Sequence, residues 1–212
     1  MPHDRIAPPP HGLLIFGFGG HARSVADVAV AAGVTALRFV DSAVRDGEVF
    51  LGFPAVSAWE ESVPAGWQVF PACGDNRQRQ RQCARFMEAG WPLATLIAPS
   101  ATAGIGCVIG PGCFIGHHAH IGPAARIGQG CIINTGAIVD HESSVGDFSH
   151  VSVNATIAGR SHVGRFAMIG AGATVVDYME IGDEVTVGAG GLVRHAIVEP
   201  GVYVGVPVRK LR

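Results

Sequence analysis

The sequence predicts a chain in two parts. An α/β half-Rossmann unit (βαβαβ) over residues 13–95 is followed by a parallel β-helix of hexapeptide repeats over residues 96–198. Two observations carry this. An aliphatic residue returns at every sixth position from Ile97 through Ile109, Ile115, Ile121, Ile127, Ile133, Val139, Val145, Val151, Ile157, Val163, Ile169, Val175, Ile181 and Val187 to Val193, with only Ala103 out of class. Ahead of that repeat, a short apolar run breaks into Gly17-Phe18-Gly19-Gly20-His21 and resumes with helical periodicity, the order of a phosphate-cradling unit.

In the α/β part, Leu13 to Phe16 reads as a strand, Ala22 to Ala32 as a helix stopped by Gly33, and Leu37 to Val40 as a second strand. The loop fits the pattern GxGxx[G/A]. Asp41, about twenty residues on, stands where a dinucleotide fold keeps its ribose-binding acid. Length allows one mononucleotide half, not the two halves that hold a whole dinucleotide. A further strand near Gln68 to Ala72 leads into Cys73-Gly74-Asp75-Asn76-Arg77, where Asp75 or Asn76 can cap a helix from Arg77 to Ala89. Two helix starts ready for an anion, with Asp41 between them, point to a nucleotide or nucleotide-sugar site. The plain alternative is a structural cap on the solenoid whose glycines only shape turns.

In the repeat, the residue after the aliphatic one is usually glycine (Gly104, Gly110, Gly116, Gly122, Gly128), as suits a corner where a Cβ would crowd the backbone or φ is positive. The fifth slot is small (Cys107, Cys113, Ala119, Ala125, Cys131, Ala137) and faces a narrow interior beside the aliphatic residue. Each hexad is then one strand and one corner, and units that bury their apolar side only by stacking form a prism.

Composition narrows the function classes. The 212 residues are 48% hydrophobic and 15% charged, with a net charge of −2, which gives nucleic acid no basic face to bind. Lys210 is the only lysine, so a Schiff-base mechanism has no other candidate. The five cysteines are odd in number and form no CxxC pair, which predicts core filling in a reducing, cytoplasmic compartment. Residues 1–12, with Pro8-Pro9-Pro10, are expected to be a disordered tail. No segment reads as a signal peptide or membrane span.

One coil breaks the glycine rule. Asn134, Asp140 and Ser152 put hydrogen-bonding side chains in that slot, and the same stretch holds Asp140-His141-Glu142 at a corner and His150 nine residues on. A repeat that departs from its own consensus in one coil does so for chemistry. His141, flanked by acids, can be held in one tautomer by a carboxylate, as a general base requires. His117, His118, His120 and His162 read as surface or subunit contacts.

These segments, together with Gly146-Asp147-Phe148-Ser149-His150-Val151-Ser152 and Gly205-Val206-Pro207, resemble the sialic-acid O-acetyltransferase and bacillosamine N-acetyltransferase family over Leu13 to Arg212. The resemblance implies a left-handed β-helix with three hexads per coil. It also implies direct acetyl transfer from acetyl-CoA to the 4-amino group of a nucleotide-linked 4-amino-4,6-dideoxy sugar, such as GDP-perosamine or a UDP-linked relative, with no metal. It further implies a homotrimer with active sites at subunit interfaces. Residue by residue, it assigns His141 as base and Glu142 as its orienting acid. Gly17, Gly19, Gly20, His21, Asp41, Gly74, Asp75, Asn76 and Arg77 fall on the sugar-nucleotide side. Asn134, His150, the Gly159 N–H, Gly205 and Pro207 fall on the cofactor side, with the tail 199–212 near CoA. Ser42 departs from the pattern, because some members carry a second acid there.

Three other readings stand beside this one. O-acetylation of a sugar hydroxyl would use the same base. A scaffold or sugar-binding module leaves the Asp140-His141-Glu142 corner unexplained. A zinc site of the gamma-class carbonic anhydrase kind needs two histidines five residues apart, a spacing none of the ten histidines has.

Overall fold

The computed structural model describes residues 10–59 and 62–211. The N-terminal unit contains β1 (Gly12–Phe16), α1 (Gly20–Ala31), β2 (Ala36–Val40), β3 (Val49–Phe50), β4 (Phe53–Val56), β5 (Trp67–Pro71) and α2 (Asn76–Glu88). β1 is buried throughout and lies between β2 and β5, parallel to both; the sheet order is β3-β4-β2-β1-β5. α1 covers it through Ala22, Val25, Ala26, Val28 and Ala29, an apolar stripe at helical spacing.

Among the described residues the expected second crossover helix is absent: β2 reaches β5 through the β3–β4 hairpin. The turn explains it. Leu51 (φ 49°) and Gly52 (φ 84°) are both left-handed, the requirement of a two-residue hairpin loop, and the apolar runs on either side are too short for a helix. Most of the expected N-terminal tail, residues 1–9, lies outside the described residues. His11 is not loose, since its N–H donates to Gly66 and its carbonyl accepts from Thr35.

From Leu96 onward, two-residue strands pair in parallel with the strand eighteen residues later, as in His120↔Ile138 and Ile138↔Thr156. Three hexads therefore make one triangular coil. The strands build a six-stranded face, a five-stranded face, and an eight-stranded face completed by the C-terminal strands Gly201–Gly205 and Val208–Lys210. Ile115, Ile121, Ile133, Val139, Val151 and Ile157 fill the interior beside Cys113, Ala119, Cys131, Ala137 and Ala155.

The corner glycines follow crowding rather than backbone handedness. A Cβ on Gly110 would stand 2.7 Å from the backbone of Gly128 and Gln129 in the next coil. The left-handed position falls two residues later, at His118, Ala124, Glu142, Phe148, Asn154 and Arg160, with φ between 54° and 58°.

On the eight-stranded face the outward residues Leu96, Phe114 and Ile132 join the core of the α/β unit. The unit thus docks on the upper coils of that face. The next outward residues on it, His150, Met168 and Thr186, lie beyond the apolar seal.

Candidate active site

The carboxyl ends of β1 and β5 meet at a topological switch point: the chain leaves β1 toward β2 and returns to its other side as β5. Open α/β sheets bind ligands there. Gly17 (φ 138°) is forced by closeness, since a Cβ would stand 2.8 Å from the Ala72 carbonyl. Gly19, Gly20 and Gly74 are different: a Cβ on any of them meets nothing within 4 Å, so open space lies before both helix starts. Asp41 accepts from the Phe18 N–H (2.9 Å) and the Ala43 N–H (2.9 Å), tying the glycine loop to the end of β2.

Asp75 caps α2, accepting from the Gln78 N–H at 2.7 Å. The other two polar residues of that segment are committed to the solenoid. Asn76 donates to the carbonyls of Phe166 (2.9 Å) and Ala167 (3.1 Å). Arg77 pairs with Glu184 and stacks on Phe166, 3.6 Å from the ring centre. Gly74 to Arg77 therefore line a cleft whose far wall is Phe166, Met168, Glu184 and Thr186.

Beneath this cleft lies a residue that sequence reasoning missed. Arg79 is fully buried and meets no carboxylate among the described residues. It donates to the carbonyls of Gly130 (2.6 Å), Cys73 (3.1 Å), Gly74 (3.2 Å) and Phe148 (2.8 Å), and to Asn76 Oδ1 (2.8 Å). The available signal was its place on one helical face with Cys83 and Phe86. Next to it the structure gathers His21, His150 and Asn134, with Asn134 Nδ2 3.3 Å from His150 Nε2. Burial, then His150 and the Arg79 guanidinium, hold His21 down to about 3. Burial and Arg79 hold His150 down to about 4. Both imidazoles are thus neutral near pH 7, and His21 Nε2 is buried without a hydrogen-bond partner among the described residues.

His141 lies elsewhere. It turns the corner between Ile138–Val139 on the six-stranded face and Ser144–Val145 on the five-stranded face, the edge opposite the face that carries His150. Its backbone N–H donates to Asp140 Oδ1 (2.6 Å), and its Nδ1 stands 3.3 Å from Glu142 Oε2. Its Nε2 overlies Gly159, one coil on, where any Cβ would collide with the ring. The Gly159 N–H has no hydrogen-bond partner among the described residues. Gly159→Ala is therefore expected to swing the imidazole out of place and to lower turnover at least tenfold, while thermal melting stays within a few degrees.

Along the same edge, about three coils or roughly 14 Å from His141 at the usual strand spacing, Arg194 and His195 open a second cleft with Tyr203, Pro207, Arg209 and Lys210. Gly205 (φ 105°) ends the strand beside it. Of the histidines read as surface or subunit contacts, His117 instead joins the two parts of the chain. It bonds Ser100 (2.8 Å) and faces Asp27 of α1 (3.3 Å). Among the described residues no three His, Cys, Asp or Glu side chains gather as a metal site, and no helix is long and apolar enough to cross a membrane.

Residues 94–207 match the family model of the GMPPB C-terminal domain, and residues 12–86 match that of the PglD N-terminal domain. Among solved structures, the acetyltransferase domain of PglB from Neisseria gonorrhoeae FA1090 in complex with acetyl coenzyme A superposes with a TM-score of 0.88. It is 30% identical, over 95% of this chain and 100% of that one. The H141A mutant of GDP-perosamine N-acetyltransferase from Caulobacter crescentus, in complex with CoA and GDP-perosamine, reaches 0.84 at 31% identity, over 95% and 97%. WeeI from Acinetobacter baumannii AYE, 18% identical over 94% and 99%, shares the fold at 0.64. With the eighteen-residue coil, these likenesses make the solenoid the left-handed β-helix that the sequence resemblance implied.

Proposed function

This chain belongs to the hexapeptide-repeat sugar acetyltransferases, and from that premise we propose that it moves acetyl from acetyl-CoA to the 4-amino group of a nucleotide-linked 4-amino-4,6-dideoxy sugar. GDP-perosamine or a UDP-linked relative is the acceptor. The observation that carries the proposal is the pairing of two half-sites: an open, anion-ready switch point for the nucleotide, and the His141–Glu142 corner over Gly159 for the transfer.

In this reading Gly19, Gly20 and the start of α1 receive the diphosphate through backbone N–H groups and the helix dipole. The acceptor amine attacks the thioester carbonyl. His141 Nε2 takes the amine proton as the C–N bond forms, the Gly159 N–H donates to the developing oxyanion, and as the C–S bond breaks the proton passes from His141 Nε2 to the leaving sulfur, releasing CoA as its thiol. Neutral His150 and Asn134, on the face opposite the His141 edge, supply hydrogen bonds beside the acetyl group from the neighbouring copy. CoA runs along the His141 edge toward Pro207, where Arg194, Arg209 and Lys210 suit its phosphates.

Within one chain the two half-sites lie on opposite sides of the prism. A cyclic homotrimer unites them, setting the His141 edge of one copy against the docking face of its neighbour and closing three identical sites.

The test is free-thiol release from acetyl-CoA against amino sugars, free and linked to GDP, UDP or dTDP. Turnover with a nucleotide-linked 4-amino sugar supports the proposal, turnover only with a sugar hydroxyl moves the chain to the O-acetyl branch, and silence across the panel overturns it. Asp41→Ala frees the glycine loop from β2, so KM for the sugar nucleotide should rise about tenfold, the loss of one to two hydrogen bonds, with KM for acetyl-CoA unchanged. An unchanged acceptor KM would move that half-site away from the switch point.

A further inference from the structure

We propose that Arg160 is a positioning residue of the transfer step, holding the Glu142 carboxylate against His141 so that the imidazole keeps Nε2 free to accept the amine proton. The inference rests on the reading of His141 as base.

Glu142, Arg160 and Tyr178 occupy the same position in three successive coils, eighteen residues apart. All three are left-handed (φ 57°, 56° and 61°), so their side chains leave the edge from equivalent points. They form a ladder. Glu142 Oε2 accepts from Arg160 Nε at 2.7 Å, and Arg160 Nη1 donates to Tyr178 Oη at 2.6 Å, with the guanidinium also leaning over the Tyr178 ring. The same Oε2 faces His141 Nδ1 at 3.3 Å.

Glu142 and His141 are about half exposed, with side-chain accessibilities of 50% and 43%. A surface carboxylate with one 3.3 Å contact has several rotamers open to it. The shorter bond from a planar guanidinium, itself anchored at its other arm, selects the rotamer that meets Nδ1. Exposed ion pairs of this kind add little stability, so the ladder's value lies in geometry. The other ionisable groups on this edge do not compete for the role: Asp140 is bonded to the His141 N–H, Asp177 sits two coils below His141, and Arg194 and His195 lie three coils away. The bonds from His141 and then Arg160 hold the Glu142 carboxyl below the usual carboxylate range, which keeps it an acceptor.

A fixed carboxylate acceptor keeps the proton on Nδ1, leaving the Nε2 lone pair for the substrate. During transfer Nε2 gains the amine proton, and no proton passes to Glu142.

The test compares wild type, Arg160→Gln, Arg160→Lys and Tyr178→Phe by ¹⁵N imidazole NMR, with the His141 resonance identified by its loss in His141→Asn. In the neutral wild-type imidazole the Nδ1–H tautomer should dominate. Arg160→Gln should mix the tautomers and lower kcat about tenfold, part of what an oriented base supplies, with both KM values within about twofold. Arg160→Lys should recover much of the tautomer bias, and Tyr178→Phe should show a weaker form of the Gln effect. An unchanged His141 spectrum in Arg160→Gln overturns the proposal, as does a raised KM for acetyl-CoA at constant kcat, which would make Arg160 a cofactor contact. The spectra decide the positioning role, and turnover of acetyl-CoA by the wild type separately decides the transferase reading.

Discussion

His141→Asn is expected to lower kcat by about 10²- to 10⁴-fold, the range an oriented general base contributes. The ring sits at a corner with 43% of its side chain exposed, and its backbone N–H bond to Asp140 survives any side-chain change. Asparagine fits the same corner and can donate to Glu142, but its amide takes no proton from an attacking amine. Fold and assembly should therefore persist while chemistry stops. Thiol release beside a thermal melt checks both: an inactive protein with an unchanged melting temperature supports the base, and near-normal turnover removes His141 from that role.

Arg79→Met should destabilise the protein by several kcal/mol, since each buried carbonyl left without a donor costs about 1–3 kcal/mol. The substitution keeps an apolar stem of similar length but leaves the carbonyls of Cys73, Gly74, Gly130 and Phe148 without their shared donor inside the structure. Those carbonyls belong to both parts of the chain, so the loss should loosen the α/β unit from the solenoid before either part melts. Urea denaturation measures the first effect, and earlier proteolytic release of the N-terminal unit measures the second. Arg79→Lys keeps the charge but not the fork, and should fall between the two. A change under 1 kcal/mol in Arg79→Met would mean that Leu96, Phe114 and Ile132 alone hold the parts together.

Most of the architecture was legible because short-period repeats carry their own geometry. Counting six residues from Ile97 gives strand, corner and interior, and the eighteen-residue pairing of His120 with Ile138 follows from the three hexads per coil that the family resemblance implies. The β1–loop–α1 unit was equally legible from Gly17 to His21. The β3–β4 hairpin was not read, although Leu51-Gly52 between two phenylalanines marks it, because the segment's few apolar residues fit no clear period.

The candidate site divided differently. Asn76 and Arg77 read as anion ligands at a helix start; what that local reading cannot see is that Phe166, Ala167 and Glu184 are near enough to claim both side chains. Nothing local marks Arg79 as buried beyond its spacing from Cys83 and Phe86, since the solenoid carbonyls that satisfy it lie up to 69 residues away.

By itself the sequence determined the coil, its apolar interior, the open glycine cradle and the His141–Glu142 corner, because each depends on neighbours within a hexad or a helical turn. Only the tertiary structure decided that the α/β unit docks on the face bearing His150, away from the His141 edge, that Arg79 lies buried under the cleft, and that Glu142, Arg160 and Tyr178 form a ladder. Those outcomes depend on contacts between coils and between the two parts of the chain, where side-chain reach and burial, not local period, select the partner.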